Sequence, residues 1–333
     1  MKISVSISAY NAEATIARTI ESVLSQTYQN FEMIIVNDGS TDATLKIAEQ
    51  YRLEHPDKIV IKSIENGGLA NARNTALPLC TGDLYINLDS DDYIENDTFE
   101  RAIECFNLDG DVDVCFYGYK SFDENGRFFD YYLETKQYPD RLLDGIEAFQ
   151  NRIMRKIWIC QGNAIYRLSM IRENNITNHK GKNQGEDMYF ISRCLLAARK
   201  VAHFKGDNFC CMTRSDSMNH AKFNESFFQT VELLDLLIGD IKRDYPDKLD
   251  LILPYLYAEK STQTISIIKR MASYFKFGEY KRRAAELQKN LKLIDKGMIL
   301  PIISKQKRLE FVICRLSLTA FYFVVAIYYK LGK

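Results

Sequence analysis

The sequence predicts an α/β fold: a doubly wound, mostly parallel sheet followed by a C-terminal helical segment. Three observations carry this. Strand-like and helix-like stretches alternate through the first part of the chain, polar clusters fall at the carboxyl ends of the strands, and from about residue 223 only helical periodicity remains.

The stretch ISVSISA alternates apolar and polar residues with the period of a strand. It leads to Asn11, a good cap for a helix whose Ile16, Ile20, Val23 and Leu24 share one face. FEMIIVND is a continuous apolar run suited to a parallel strand covered on both sides, and STDATLKIAEQY then opens with capping residues and repeats Ala43, Ile47, Ala48 and Tyr51. KIVIKSI gives a third strand, NARNTALPLC a short helix stopped near Pro78, GDLYINL a fourth strand and DVDVCFYGY a fifth. Polar clusters at 8–11, 37–42, 65–74 and 89–92 all stand at strand ends, where a doubly wound sheet binds its ligands. Farther on, FFQTVELLDLLIGDIKRDY and YAEKSTQTISIIKRMASYF repeat apolar residues at intervals of three and four. The expected division is an α/β domain over 1–220, a helical segment over 221–300 and a basic, apolar tail over 301–333.

With 333 residues, 46% of them hydrophobic, the chain can bury a full core. Formal net charge is zero, but residues 269–333 hold 15 Lys and Arg against 4 Asp and Glu, a local +11. Such a segment meets an anionic surface. Between Arg315 and Lys330 lie 14 uncharged residues, short of the roughly 20 a spanning helix needs, so the tail is expected to rest on a membrane without crossing it. Its aromatic, apolar character favours lipid over nucleic acid. MKISVSISAY has no sustained apolar region or cleavage pattern, which points to a cytoplasmic protein peripheral to the inner face of the cell membrane. Eight scattered cysteines, mostly within apolar runs, read as reduced thiols.

YINLDSDDYIEND places Asp89, Asp91 and Asp92 within four positions directly after an apolar strand. Like charges a few ångströms apart repel by about 1 kcal/mol in water and by more where water is scarce. A divalent cation would compensate them, and oxygen ligands suit Mg²⁺ or Mn²⁺, which bind through one or two carboxylates together with substrate phosphates.

SISAYNAEATIARTIESVLSQTYQNFEMIIVNDGSTDAT, ENGGLANARNTAL, LDSDD and the later GEDMYF stand in the order and approximate spacing of family 2 glycosyltransferases, which have the GT-A fold. The chain resembles that family over about residues 1–220. The resemblance implies a UDP-sugar donor, with Ser8 and Tyr10 lining the base pocket, Asp38 accepting from the base, and Asn66 and Arg73 lining the nucleotide pocket. Arg73 suits a diphosphate because its fork donates two parallel hydrogen bonds. Asp89 would sit near ribose and metal, Asp91 would be the closer metal ligand, and Asp92 would support them. Asp187, in the pair Glu186-Asp187, matches the family's catalytic base, although acidic residues also favour a helix N-terminus on their own. Trp158 and Arg167 resemble the segment before the acceptor site, and Arg214 and Ser217 resemble phosphate ligands in a segment that closes over the donor, with His220 a further candidate for the metal.

Two departures stand out: Ser8 replaces the proline usual in the first motif, and the lysine common after Trp158 is absent. The function implied is inverting, metal-dependent transfer of a hexose-type sugar from a UDP-sugar to a hydroxyl of a glycan acceptor, in cell-surface polysaccharide synthesis. The acceptor implied is lipid-linked. Two alternatives are a sugar-nucleotide nucleotidyltransferase, which would want a glycine-rich loop that SAYNAEAT lacks, and a silent nucleotide-binding membrane adaptor.

Overall fold

The computed structural model describes residues 1–123, 126–132, 136–182, 184–213 and 223–331. The chain divides into two compact units, Met1–Ser217 and Met218–Lys333.

In the first unit, β1 (Ile3–Ala9), β2 (Phe31–Asp38), β3 (Ile59–Ile64) and β4 (Leu84–Asp89) run parallel, with β1 between β2 and β4. The helices α1 (Ile16–Leu24), α2 (Thr44–Glu54) and α3 (Leu69–Ala76) connect them. There follow β5 (Tyr93–Ile94), α4 (Thr98–Leu108), β6 (Val112–Phe116), β7 (Tyr119–Asp123), β8 (Phe128–Tyr131), β9 (Leu143–Asp144) and α5 (Gly145–Ile153). The unit closes with β10 (Ala164–Arg167), α6 (Leu168–Glu173), α7 (Glu186–Ala197), β11 (Lys200–His203) and β12 (Phe209–Thr213). Eight strands form one mixed sheet in the order β3-β2-β1-β4-β10-β6-β11-β9, and a smaller sheet runs β5-β12-β7-β8. Because β10 is antiparallel to both β4 and β6, β6 returns parallel to β4.

The alternation in β1 does not mark a wet face. Ser4, Ser6 and Ser8 are as buried as Ile3, Val5 and Ile7, because β1 lies in the middle of the sheet. Its apolar residues join Ile16, Ile20, Phe99 and Ala102 in the main core, each fully buried aliphatic side chain contributing about 1.5–3 kcal/mol. Asn11 is not the cap of α1. The helix begins after Thr15, while Asn11 adopts φ 48° and its side-chain oxygen accepts from the Thr41 N–H at 2.9 Å, joining the turns after β1 and β2. DVDVCFYGY is two strands, β6 and β7, in different sheets. The chain bends at Gly118, where a Cβ would come within 2.5 Å of the Asp207 carboxylate and the Tyr138 hydroxyl.

The second unit consists of α8 (Phe228–Asp244), α9 (Leu249–Tyr274), α10 (Phe277–Leu293), α11 (Lys296–Ile299), α12 (Lys305–Leu316) and α13 (Leu318–Leu331), with short 3₁₀ turns. Its core joins Ile265, Ile268 and Met271 of α9 and Tyr280 and Leu291 of α10 to Phe311, Cys314, Phe321 and Val325. Residues 301–331 therefore do not stand apart from residues 221–300 as a tail; α12 and α13 supply part of the same core. Among the described residues, no helix is long and apolar enough to cross a membrane. All eight cysteines are free, with Cys160 and Cys211 half-buried and the others buried.

Candidate active site

Parallel pairing brings distant polar residues to one edge. Ser8 at the end of β1 is in register with Asp89 at the end of β4, and Ala9 with Asn37 at the end of β2. Tyr10 follows immediately, its side chain 52% exposed, while the Ser8 hydroxyl is buried and without a hydrogen-bond partner among the described residues.

Asp38 is buried, and its two carboxylate oxygens accept the Gly67 and Gly68 N–H groups at 2.8 and 2.9 Å. It thereby holds the entry to α3. Gly39, at φ 73°, sits so close to this loop that a Cβ would lie 2.8 Å from the Asn66 nitrogen, so only glycine fits. Asn66 is exposed on the edge of that loop.

The aspartate turn is tied down from three sides. Arg18 and Thr19 of α1 donate to the main-chain carbonyls of Asp91 and Asp92 at 2.9 and 2.7 Å, and Asp92 accepts the Met212 N–H of β12 at 3.0 Å. Burial, then the charges of Asp91 and Asp89, push the Asp92 carboxyl well above the usual carboxylate range. From the third side, Arg73 of α3 donates to Asp89 Oδ1 at 2.8 Å.

Arg73 was expected to face a diphosphate. Its side chain is instead only 3% exposed, and its second terminal nitrogen reaches Glu186 Oε1 at 3.3 Å. Burial works against the guanidinium charge, but Asp89 and Glu186 more than offset it and raise its pKa. This fork is spent on protein carboxylates. Glu186 and Asp187 open α7 after Gly185, which has φ 83°. Glu186 is buried; loss of water and the neighbouring Asp187 charge lift its carboxyl to about 7, with Arg73 pulling the other way. Asp187 is half-buried and accepts the Met188 N–H at 2.6 Å.

Trp158 packs edge-on against Tyr119 with ring centres 4.6 Å apart. Arg167 lies elsewhere: at the far end of antiparallel β10 it donates to the Val112 carbonyl and to Asp113, which also pairs with Arg199. Its role is to fasten β6. Arg214, Ser217 and His220 lie outside the described residues. Arg18, Thr19 and the tie through Glu186 were not anticipated, since the first two bond to carbonyls 73 positions away and leave no local signal.

Asp89 keeps 40% of its side chain exposed, with one oxygen on Arg73. Among the described residues, no group of three or more His, Cys, Asp or Glu side chains is placed to hold a metal. Two carboxylates at a strand end fit an Mg²⁺ or Mn²⁺ that completes its shell with phosphate and water.

The profile of glycosyl transferase family 2 matches residues 4–174, half of the chain, and covers β1 to β4 with the whole aspartate turn. The chain belongs to glycosyl transferase family 2. Among curated relatives it is 28% identical to the glycosyltransferase GlyA of Streptococcus pneumoniae over 66% of this chain and 31% of that protein. It is 32% identical to the putative glycosyltransferase EpsH of Bacillus subtilis over 61% of this chain and 58% of that one. With the poly(ribitol-phosphate) beta-N-acetylglucosaminyltransferase TarS of Staphylococcus aureus it shares 27% over 75% of this chain and 43% of TarS. The chain thus spans less than two thirds of the length of these relatives. The crystal structure of TarS residues 1–349 with UDP-GlcNAc superposes with a TM-score of 0.72 at 20% identity, covering 100% of this chain and 93% of that one. The shared fold is the GT-A fold with its C-terminal helices. Family membership sets aside the nucleotidyltransferase alternative.

Proposed function

We propose that the chain is an inverting glycosyltransferase that moves a sugar from a UDP-sugar to a hydroxyl of a glycan acceptor. The observation that carries this reading is the meeting of the Asp89–Asp92 turn and the Glu186–Asp187 helix start on the two arms of one buried arginine. The TarS complex with UDP-GlcNAc supports the choice of donor. Tyr10 offers an exposed ring to the uracil, and the buried Ser8 hydroxyl, without a partner among the described residues, and the exposed Asn66 are further groups for the nucleoside. Asp38 acts chiefly by holding the Asn66–Gly68 loop.

Asp89 and Asp91 would hold Mg²⁺ or Mn²⁺, which supplies positive charge for the departing diphosphate. Asp187 takes the acceptor hydroxyl's proton while that oxygen bonds to the anomeric carbon from the face opposite the leaving group. The bond to the UDP oxygen breaks, and its electron pair leaves with UDP. Release of UDP from a panel of UDP-sugars in the presence of glycan acceptors tests this. Turnover of at least one UDP-sugar is expected, and binding without any turnover would favour the silent adaptor.

The acceptor proposed is a growing, lipid-linked glycan at the inner membrane face. Leu309, Val312 and Leu316 form an exposed stripe on α12 beside exposed Lys305 and Arg308, and α13 exposes Phe323, Val324 and Ile327. An apolar stripe flanked by cations suits an anionic bilayer surface, each cation contributing about 1 kcal/mol. Removing residues 302–333 would not test this cleanly, because Phe311, Cys314 and Phe321 belong to the core. The double substitution Leu309→Glu, Val312→Glu spares that core and should abolish co-sedimentation with phosphatidylserine vesicles. Undiminished binding by the variant, or none by the parent, would remove the membrane from the account.

A further inference from the structure

We infer that Arg73 and Asn74 are positioning residues, and that α3 is the bracket that sets the helix carrying Asp187 against the Asp89 carboxylate. The inference rests on the roles proposed for Asp89 and Asp187. Two consecutive side chains of α3 grip both ends of the segment that leads into α7. Arg73 holds Glu186, 113 residues away, and Asp89 with the same guanidinium. Asn74 donates to the Asn178 carbonyl at 2.7 Å and accepts the Asn178 N–H at 2.8 Å. The Asn178 side chain in turn accepts from Gln161 at 3.0 Å, and both of these residues are buried. Residues 178 and 186 are therefore fixed to one turn of one helix.

That helix is fixed in its own right. Asp38 anchors the residues that lead into it through the Gly67 and Gly68 N–H groups, and Ala70, Ala72, Arg73 and Ala76 are buried along it. A planar fork can hold two carboxylates at set angles, which a lysine ammonium cannot. With the side chain 3% exposed, Arg73 has no surface to present to a ligand arriving from solvent. The placement of the base relative to the metal-side carboxylate is thus routed through α3, and a shift of about 1 Å at a reacting group can cost on the order of 10²-fold in rate.

The test is kinetic. Arg73→Lys and Asn74→Ala should lower kcat by about 10-fold to 10²-fold while UDP affinity, measured by calorimetry with Mn²⁺, stays within about threefold. Asn74→Ala leaves no buried charge behind and keeps the test sound if Arg73 variants fold poorly. In a cycle of Arg73→Met and Glu186→Gln, the second substitution should cost little once the first is present, since both break the same tie. Loss of UDP affinity equal to the loss in kcat/KM would mean that Arg73 serves donor and metal binding, directly or through Asp89, and would overturn its role in placing the base. A lower melting temperature with unchanged kcat in both Arg73→Lys and Asn74→Ala would reduce the bracket to a packing feature. An error in the choice of base would show separately, as wild-type turnover in Asp187→Asn.

Discussion

Asp91→Asn is expected to lower the Mn²⁺- or Mg²⁺-dependent affinity for UDP by about 10-fold to 10²-fold, while leaving the fold intact. Asparagine keeps the shape of the side chain and removes the charge. Two unit charges about 4 Å apart interact by roughly 4 kcal/mol at an effective dielectric of 20, so losing one of two anionic ligands outweighs any packing effect of the change. The Asp91 main-chain carbonyl, which accepts from Arg18, is untouched by the substitution, and Asp92 still accepts the Met212 N–H, so the turn keeps its pins. Calorimetric titration with UDP, with and without the metal, reads the effect directly. Equal metal-dependent affinity in the variant and the parent would take Asp91 out of the metal site. A loss of the expected size would explain the crowding of carboxylates in this turn by a cation that Asp89 and Asp91 share with the diphosphate.

Much of the first unit was legible because its signals are local. Continuous apolar runs such as FEMIIVND and helix-period stretches such as TLKIAEQY state their own structure, and their alternation implies parallel pairing. Parallel pairing in turn puts every strand's carboxyl end on one edge, which is why Ser8, Asp38 and Asp89 were found together before any register was known. Register itself was not legible. Nothing in ISVSISA says that its serines turn toward a buried face, since that depends on the strand's central place in the sheet.

The contacts that the sequence did not show are those whose partners are remote. Arg73 sits in NARN, where a basic residue among polar neighbours looks solvent-facing and free to meet phosphate. Its burial depends on Asp89 and on Glu186, brought near by β4 and α7. The same holds for Arg167, whose carboxylate partner Asp113 lies on the neighbouring strand. Asn11 satisfied the local rule for a cap, yet the turn after β2 captured its side chain first. In α12 and α13 the apolar residues were correctly seen as abundant. Sequence could not divide them into Phe311, Cys314 and Phe321, which face the helical core, and Leu309, Val312 and Phe323, which face out.

Asp187 decides the account. It stands in the first turn of α7, where its carboxylate accepts the Met188 N–H, so a purely local role as a helix-terminal acid is available to it. That role would contribute about 0.3–1 kcal/mol. Under the mechanism proposed, Asp187→Asn keeps the hydrogen-bonding shape but cannot take a proton from the acceptor hydroxyl, and transfer should fall by about 10²-fold or more. UDP and metal affinity should stay near the parent values, because in that mechanism the residue serves the acceptor and not the diphosphate. The measurement is UDP affinity and transfer rate on this one variant: retained binding with lost transfer is the predicted result, and wild-type turnover with a slightly lower melting temperature would contradict it.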